Sequence, residues 1–399
     1  MRVVSLVPVY PKLSETFIVS KAAGLLQRGL DVHIVCIASK GSRSAFRRPA
    51  FAGFPEPRVH GTRHPECRAC MLLVSAMHFV RLLIASTTML HRLVSGVRRQ
   101  YGLTGLYRRF AVDARVLMLK PDVLHFEFGA IAADRMYLKE VTRAKTVVSF
   151  RGYDINYVGL ERPDHYQGVW RHADMLHVLG RDLHVRAVAR GCPPDKTVTI
   201  ISPAPAPRFA EAVPVVHDDD PQLRILSVGR LEWKKGYEYA LRCCAILNRE
   251  GVPFDYRIAG DGALYEALHL TMHQLGLCER VTFLGSVEPD GMPDVYYHAN
   301  VFLHAAVSEG FCNAVMEAQL HGLPVVTTDA DGLAENVRDG ETGYVVPRRD
   351  PESLARALMS LSRHPEHRAS LGTAAARHAR SSYSLDAQMD AFMLLYRSL

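Results

Sequence analysis

Ser308-Glu309-Gly310-Phe311-Cys312-Asn313-Ala314-Val315-Met316-Glu317 follows a short apolar run, Val301-Phe302-Leu303-His304, and precedes Gly322 and Pro324. By residue type this is a strand, a glycine-containing turn and a helix predicted over Asn313 to Leu320, stopped by Gly322 and Pro324. A helix entered in this way presents unpaired backbone N–H groups and the positive end of its dipole, which suits a phosphate. Glu309 stands before the helix and Glu317 about two turns inside it. If the eight steps between them were all helical, they would rise roughly 12 Å, the reach of a hexose, a diphosphate and a ribose in line. We therefore place Glu309 at a sugar, the backbone from Gly310 through Phe311 and Cys312 to Asn313 at a diphosphate, and Glu317 on ribose hydroxyls. The competing reading of the same pair is two surface carboxylates flanking an ordinary helix.

Working outward, strand-loop-helix alternation runs from Leu223 through Val346, a parallel α/β pattern. The chain start reads the same way. Val3 to Val7 is a strand, Ser14 caps a helix that runs to about Arg28, and Val32 to Ile37 is the next strand. The loop Pro8 to Leu13 falls at the carboxyl edge of that sheet, where open α/β folds bind ligands, so Ser14 joins the ligand-binding candidates. Later strands at Asp122 to Phe126 and Thr146 to Phe150 put His125 and Asp154 at strand ends; these are the ionisable groups expected near an acceptor. A lone histidine there is also a common structural residue. Between the halves, Ser202 to Pro221 holds Pro203, Pro205, Pro207, Pro214 and Asp218-Asp219-Asp220 and reads as a linker. The expected boundaries are residues 1–205, 206–383, and a final amphipathic helix over 384–399.

With 399 residues, two domains can each bury a core, and 22% charged residues are ordinary for a globular protein. Charge is lopsided: residues 1–200 carry 30 Lys+Arg against 15 Asp+Glu, a net +15, and the remainder is −8. Residues 40–115 alone hold 14 cations and 3 acids, which points to an anionic partner. Met71 to Leu90 is apolar, yet Ser75, His78, Arg81, Thr88, Arg92, Ser95 and Arg99 recur along one helical stripe. A spanning helix seldom carries an unpaired Arg81 at its middle. Two readings remain: an amphipathic helix on an anionic membrane, or a buried helix with that stripe in solvent. No nucleic-acid recognition motif accompanies the charge. Cys67-Arg68-Ala69-Cys70 lacks a second pair, so zinc is not expected there, and a reducing cytoplasm fits eight unpatterned cysteines. No signal peptide is apparent.

Several ordered motifs resemble the retaining group-one glycosyltransferases of the GT-B fold. They are Ser227-Val228-Gly229-Arg230-Leu231, Lys234-Lys235-Gly236, Ala259-Gly260-Asp261-Gly262, Val281-Thr282-Phe283-Leu284-Gly285, the Glu309–Glu317 stretch, Gly322-Leu323-Pro324-Val325-Val326 and Gly343-Tyr344-Val345-Val346. The run Tyr10-Pro11-Lys12-Leu13-Ser14-Glu15-Thr16-Phe17-Ile18 is similar to the subgroup that builds bacterial exopolysaccharides of the colanic acid and amylovoran type. The resemblance implies two Rossmann-like, doubly wound α/β domains facing each other across a cleft, with an acceptor-binding first domain. The second domain would hold a UDP- or GDP-linked sugar, with Gly229 and Gly285 lining its pocket, and the closing helix would cross back to the first. Arg230 and Lys235 would hold the diphosphate and neutralise it as it leaves. The implied reaction retains anomeric configuration, uses no metal or other cofactor, and delivers a hexose to a glycan or polyprenyl-diphosphate-linked glycan at the inner face of the plasma membrane. This chain departs from the family at Glu127 and Arg151, where relatives commonly have histidine. Gly260-Asp261-Gly262 lacks the third glycine of a dinucleotide fingerprint, Tyr265 standing there, and reads as a turn. Asp329-Ala330-Asp331 mimics a metal-binding D-x-D, but lies in what the family makes a loop at the cleft. Alternatives of other classes are a catalytically silent sugar-nucleotide-binding protein and a GT-B sugar-nucleotide epimerase.

Overall fold

The computed structural model describes residues 1–12, 15–41, 46, 53–61, 67–102, 106–201 and 222–399. Ser14 and the whole proline-rich stretch 202–221 lie outside the described residues. The chain divides into two compact units: Met1–Leu179 with Leu183–Ile201 and Leu385–Leu399, and Gly180–Asp182 with Ser202–Ser384.

The first unit is a seven-stranded parallel sheet. Its strands are β1 (Arg2–Tyr10), β2 (Asp31–Lys40), β3 (Val59–His60), β4 (Val123–Phe126), β5 (Lys145–Phe150), β6 (Met175–Val178) and β7 (Thr197–Thr199). Their order is β3-β2-β1-β4-β5-β6-β7. Continuous apolar strands such as Val3-Val4-Ser5-Leu6-Val7 are what a sheet covered on both faces requires; all five are buried. The helix Thr16–Gln27 turns Ile18, Val19, Ala22 and Leu25 onto this sheet. The closing helix Leu385–Arg397 joins the same core through Met389, Phe392, Leu395 and Tyr396, and Met389 fits because position 24 is a glycine.

A hydrogen-bonded line of buried side chains crosses this sheet. His177 Nε2 meets the Ile200 carbonyl at 2.9 Å, which can only accept, so Nε2 carries the proton and Nδ1 accepts from Ser149 Oγ at 2.7 Å. Ser149 Oγ then accepts from His125 Nε2 at 2.8 Å, and His125 Nδ1 accepts from Tyr396 O–H at 2.6 Å. Both imidazoles are thereby held neutral, and burial drives the His177 pKa down to about 3 and that of His125 well below the usual range.

The second unit is a six-stranded parallel sheet of β8 (Leu223–Val228), β9 (Phe254–Ala259), β10 (Val281–Gly285), β11 (Val301–His304), β12 (Val325–Thr328) and β13 (Gly343–Val346), ordered β10-β9-β8-β11-β12-β13. Phe302 and Leu303 of β11 are fully buried, each worth roughly 1.5–3 kcal/mol of apolar burial. After β8 the chain builds outward through β9 and β10, then returns to add β11 on β8's other side. The loops following β8 and β11 therefore leave the sheet side by side, the switch point at which open α/β sheets bind ligands.

Helix Arg68–Ala85 keeps only part of the expected solvated stripe: Arg81 is exposed, but Ser75 and His78 turn inward. His78 is buried, and its Nε2 accepts from Arg115 Nε at 3.2 Å on the helix Leu106–Leu119. Ser75, one turn earlier, lies on the same inward side with Met71 and Leu82. Leu72, Leu73, Met77, Phe79, Val80, Leu83 and Ile84 point outward instead. Among the described residues no helix is long and apolar enough to cross a membrane.

Candidate functional site

The switch point of the second unit brings Lys235 and Glu309 together although 74 positions separate them. Lys235 closes a short 3-10 turn after β8, Glu309 leaves β11, and the Lys235 ammonium donates to Glu309 Oε2. Backbone fixes the two loops to each other: Val307 N donates to the Lys234 carbonyl at 2.8 Å. Gly236, at φ +65°, permits this approach, since a Cβ there would stand 2.0 Å from the Ala305 carbonyl oxygen. The Gly260-Asp261-Gly262 turn is fastened to the same place, with Leu231 N donating to the Asp261 carbonyl at 3.0 Å. A Cβ on Gly260 would lie 1.9 Å from the Gly229 oxygen. Its glycines thus serve backbone packing around the β8 loop. Tyr237 O–H donates to the Gly229 carbonyl at 2.9 Å, and the Gly285 carbonyl accepts from Gly260 N at 2.8 Å.

Glu309 and Lys235 are mostly buried, with side chains 15% and 13% exposed. Burial alone would raise the Glu309 carboxyl and lower the Lys235 ammonium. Their mutual attraction outweighs it, holding Glu309 well below the usual carboxylate range and Lys235 above its own. His304 Nε2 adds to the cluster at 3.6 Å from Glu309 Oε2 and 3.5 Å from Cys312 Sγ. Burial opposes its charge, but Cys312 and Glu309 raise the imidazole to about 9.

The helix observed downstream is Asn313–Leu320, with Cys312 at its N-cap and no side chain capping it. Cys312 N donates to Asn336 Oδ1 at 3.1 Å, and Phe311 meets Tyr383 edge-on at 5.7 Å between ring centroids. Because the helix begins only at Asn313, the all-helical rise between Glu309 and Glu317 does not apply. Glu317 accepts from Tyr296 O–H at 2.7 Å. Arg230 is not gathered into the Lys235–Glu309 pair. Its guanidinium, 59% exposed, holds Glu232 Oε1 at 2.5 Å, while Glu232 Oε2 lies 3.2 Å from Lys234. The D-x-D carboxylates are engaged by a cation of the chain itself: Arg348 lies 3.1 Å from Asp329 and 3.0 Å from Asp331, and Ser308 O–H donates to Asp331.

In the first unit, His125 is wholly buried with both nitrogens in the line described above, so its expected place beside an acceptor gives way to a role in anchoring Tyr396. Asp154 is also buried. Its carboxylate accepts from Ala130 N at 3.0 Å and Arg151 N at 3.3 Å, capping the helix Gly152–Asn156. What sequence reading missed here is a buried ionic cluster: Lys21 donates to Glu127, Arg151 lies 3.3 Å from Glu127, and Ser5 Oγ donates to Glu127 at 2.9 Å. The available signal was Lys21 itself, a lysine on the inward stripe of Ile18, Ala22 and Leu25. His304 and Tyr296 were missed because His304 ends an apolar strand and Tyr296 is a buried residue of a short helix, Met292–Tyr297, where neither carries a motif.

Residues 211–378 match the family model described as glycosyl transferases group 1. WcaL of Salmonella typhimurium, named for colanic acid biosynthesis, is 26% identical over 377 residues, covering 89% of each chain. The amylovoran biosynthesis glycosyltransferase AmsK of Erwinia amylovora is 26% identical over 378 residues, covering 88% of each. Among solved structures, Anabaena HepE in complex with UDP and glucose overlays at a TM-score of 0.74 with 15% identity across the full length of both chains. Staphylococcus aureus TarM also reaches 0.74, with 10% identity over 99% of both. The two parallel-sheet, Rossmann-like domains have the GT-B fold of these structures. Residues 211–378 are a group 1 glycosyl transferase domain, and the chain is similar over most of its length to the proteins named for colanic acid and amylovoran assembly.

Proposed function

We propose that the protein moves a hexose from a UDP- or GDP-linked donor to a hydroxyl of a glycan or polyprenyl-diphosphate-linked glycan, retaining anomeric configuration, in the building of an exopolysaccharide or related surface glycan. The observation that carries this is the Lys235–Glu309 pair at the β8/β11 switch point of a group 1 glycosyltransferase domain. The names of WcaL and AmsK support the pathway class, and the UDP and glucose held by HepE support the donor class. With donor bound, the Lys235 ammonium passes from Glu309 to the diphosphate, the denser negative charge. Glu309 stays ionised and accepts hydrogen bonds from the sugar hydroxyls. Arg230, held at the surface by Glu232, swings to the leaving phosphate. These cations supply the neutralisation that a metal gives elsewhere, and the departing diphosphate takes the acceptor proton. Catalysis then rests on orientation and charge stabilisation. A thermal-shift screen across UDP-, GDP- and ADP-sugars tests the donor site. A UDP- or GDP-sugar at 100 times its Kd adds about 2.7 kcal/mol of stability and raises Tm; no shift with any of them overturns the reading.

We also place the first unit against an anionic membrane. The outward face of helix Arg68–Ala85 is apolar, with Leu73 71% and Ile84 82% exposed. Arg81 borders that face on the 100° spacing, and exposed Arg98 and Arg99 end the next helix. An apolar face rimmed by cations is the pattern of an interfacial helix. The chain is expected to co-float with phosphatidylglycerol vesicles, and Leu73→Glu/Ile84→Glu to lose most of that binding at unchanged Tm. Equal flotation of the variant, or a dimer that it dissolves, overturns the assignment.

A further inference from the structure

Among the described residues, His304, Glu309 and Cys312 bring three different metal-ligating atoms within 4.8 Å of one another. His304 is the last residue of β11, Glu309 lies in the loop that follows, and Cys312 stands at the N-cap position of the next helix, so a strand end and a helix start hold two of the three. A tetrahedral ion with bonds of about 2.3 Å to sulfur and about 2.0 Å to nitrogen or oxygen needs ligand separations of roughly 3.3–3.6 Å. His304 Nε2 stands 3.5 Å from Cys312 Sγ and 3.6 Å from Glu309 Oε2. Two edges of such a tetrahedron are therefore already formed, and the third closes by turning the Glu309 carboxylate. His304 and Cys312 are buried, at 2% and 3% exposure, while Glu309 keeps some access to solvent.

We propose that His304, Glu309 and Cys312 form a binding site for a thiophilic divalent cation of the zinc class, and that this ion and the sugar-nucleotide donor exclude one another. On binding, the thiol releases its proton to solvent, the imidazole binds as the neutral base, and the Lys235 ammonium leaves Glu309. The exclusion rests on the reading of Glu309 as a donor ligand; the ion site does not. Occupancy would switch transfer off when soft metal is in excess, at the atom that otherwise meets the sugar.

The test uses the full chain stripped of metal, in a Cys67→Ser/Cys70→Ser/Cys278→Ser background that removes the cysteines that are not buried. Titrated with Co²⁺ alone, it is expected to bind one equivalent with a near-ultraviolet thiolate-to-cobalt charge-transfer band. Cys312→Ser should abolish the band, and His304→Gln should weaken Zn²⁺ binding at least tenfold. Metal-free melts of both variants establish that they fold. No band, or a band that survives Cys312→Ser, overturns the site. In the second arm, one equivalent of Zn²⁺ is expected to abolish the Tm shift given by the productive nucleotide sugar. If the band forms and depends on Cys312 while the donor shift persists, the ion site stands and the donor role of Glu309 falls.

Discussion

Replacing Lys235 with alanine is expected to lower sugar transfer by about 10²–10³-fold, the loss typical when one preorganised charge-stabilising group is removed. The same is expected of Glu309→Ala, for a related reason. In the donor-free protein the two neutralise each other, so each also sets the other's position. Lys235→Ala takes away the cation on Glu309 and leaves it His304, at 3.6 Å, so its carboxyl pKa climbs toward the value burial favours. Glu309→Ala frees an ammonium that no longer has a fixed resting place. Groups that act as a unit lose activity non-additively, so the Lys235→Ala/Glu309→Ala double variant should be little worse than either single one. Steady-state transfer assays, with circular dichroism to establish the fold, decide this. Lys235→Ala should act mainly on kcat, because its charge is needed as the diphosphate departs. Full activity in either single variant would remove both residues from the machinery. A multiplicative double loss would show that they act separately.

That pairing was legible only in part from the sequence. Gly322 and Pro324 mark the end of the Asn313–Leu320 helix, so its extent could be read off residue types. What residue order could not supply is that the loops after β8 and β11 are spatial neighbours; that follows from the sheet order. The helical rise assumed between Glu309 and Glu317 failed because the turn occupies the first three residues of the interval, and turns do not advance like helices. Helix Arg68–Ala85 was legible in part: Arg81 is exposed on the expected stripe and His78 is not. Periodicity finds a stripe but does not say which side the rest of the protein takes, and here Arg115 draws His78 inward. The same gap governs Asp329 and Asp331: two acids invite a cation, and the chain provides Arg348 from 17 positions beyond Asp331. His125 was read at a strand end as a reactive group, but a parallel strand end in the middle of the sheet is covered by neighbours. Tyr396 and Ser149 use both of its nitrogens.

Glu127→Gln should destabilise the first unit by about 3–5 kcal/mol, the cost of breaking a buried ion pair from one side. Glu127 is fully buried and Lys21 is 4% exposed. The Glu127 carboxylate accepts from Lys21 and from Ser5, with Arg151 at 3.3 Å. A neutral amide leaves two buried cations facing each other without their shared anion. Lys21→Met leaves Glu127 with Arg151, so it should cost less, and Lys21→Met/Glu127→Gln should fall short of the sum because the two residues are in contact. The pH profile gives an independent reading. Burial opposes the Glu127 charge, but Lys21 and Arg151 hold its folded-state pKa far below the ordinary 4.5. Its contribution is therefore present above pH 4.5 and lost as pH falls through the folded value. Lys21 shifts in the same direction in another window: burial lowers its ammonium from 10.5 to about 8 despite Glu127. Between those values the unfolded chain binds more protons, so the Lys21 contribution rises as pH climbs from 8 toward 10.5. Urea unfolding across pH 3–10 should show the acid loss in the wild type and a much shallower one in Glu127→Gln. An unchanged acid limb in that variant, or a loss of under about 1 kcal/mol at pH 7, which is the scale of an exposed pair, would show that the cluster is solvated and contributes little.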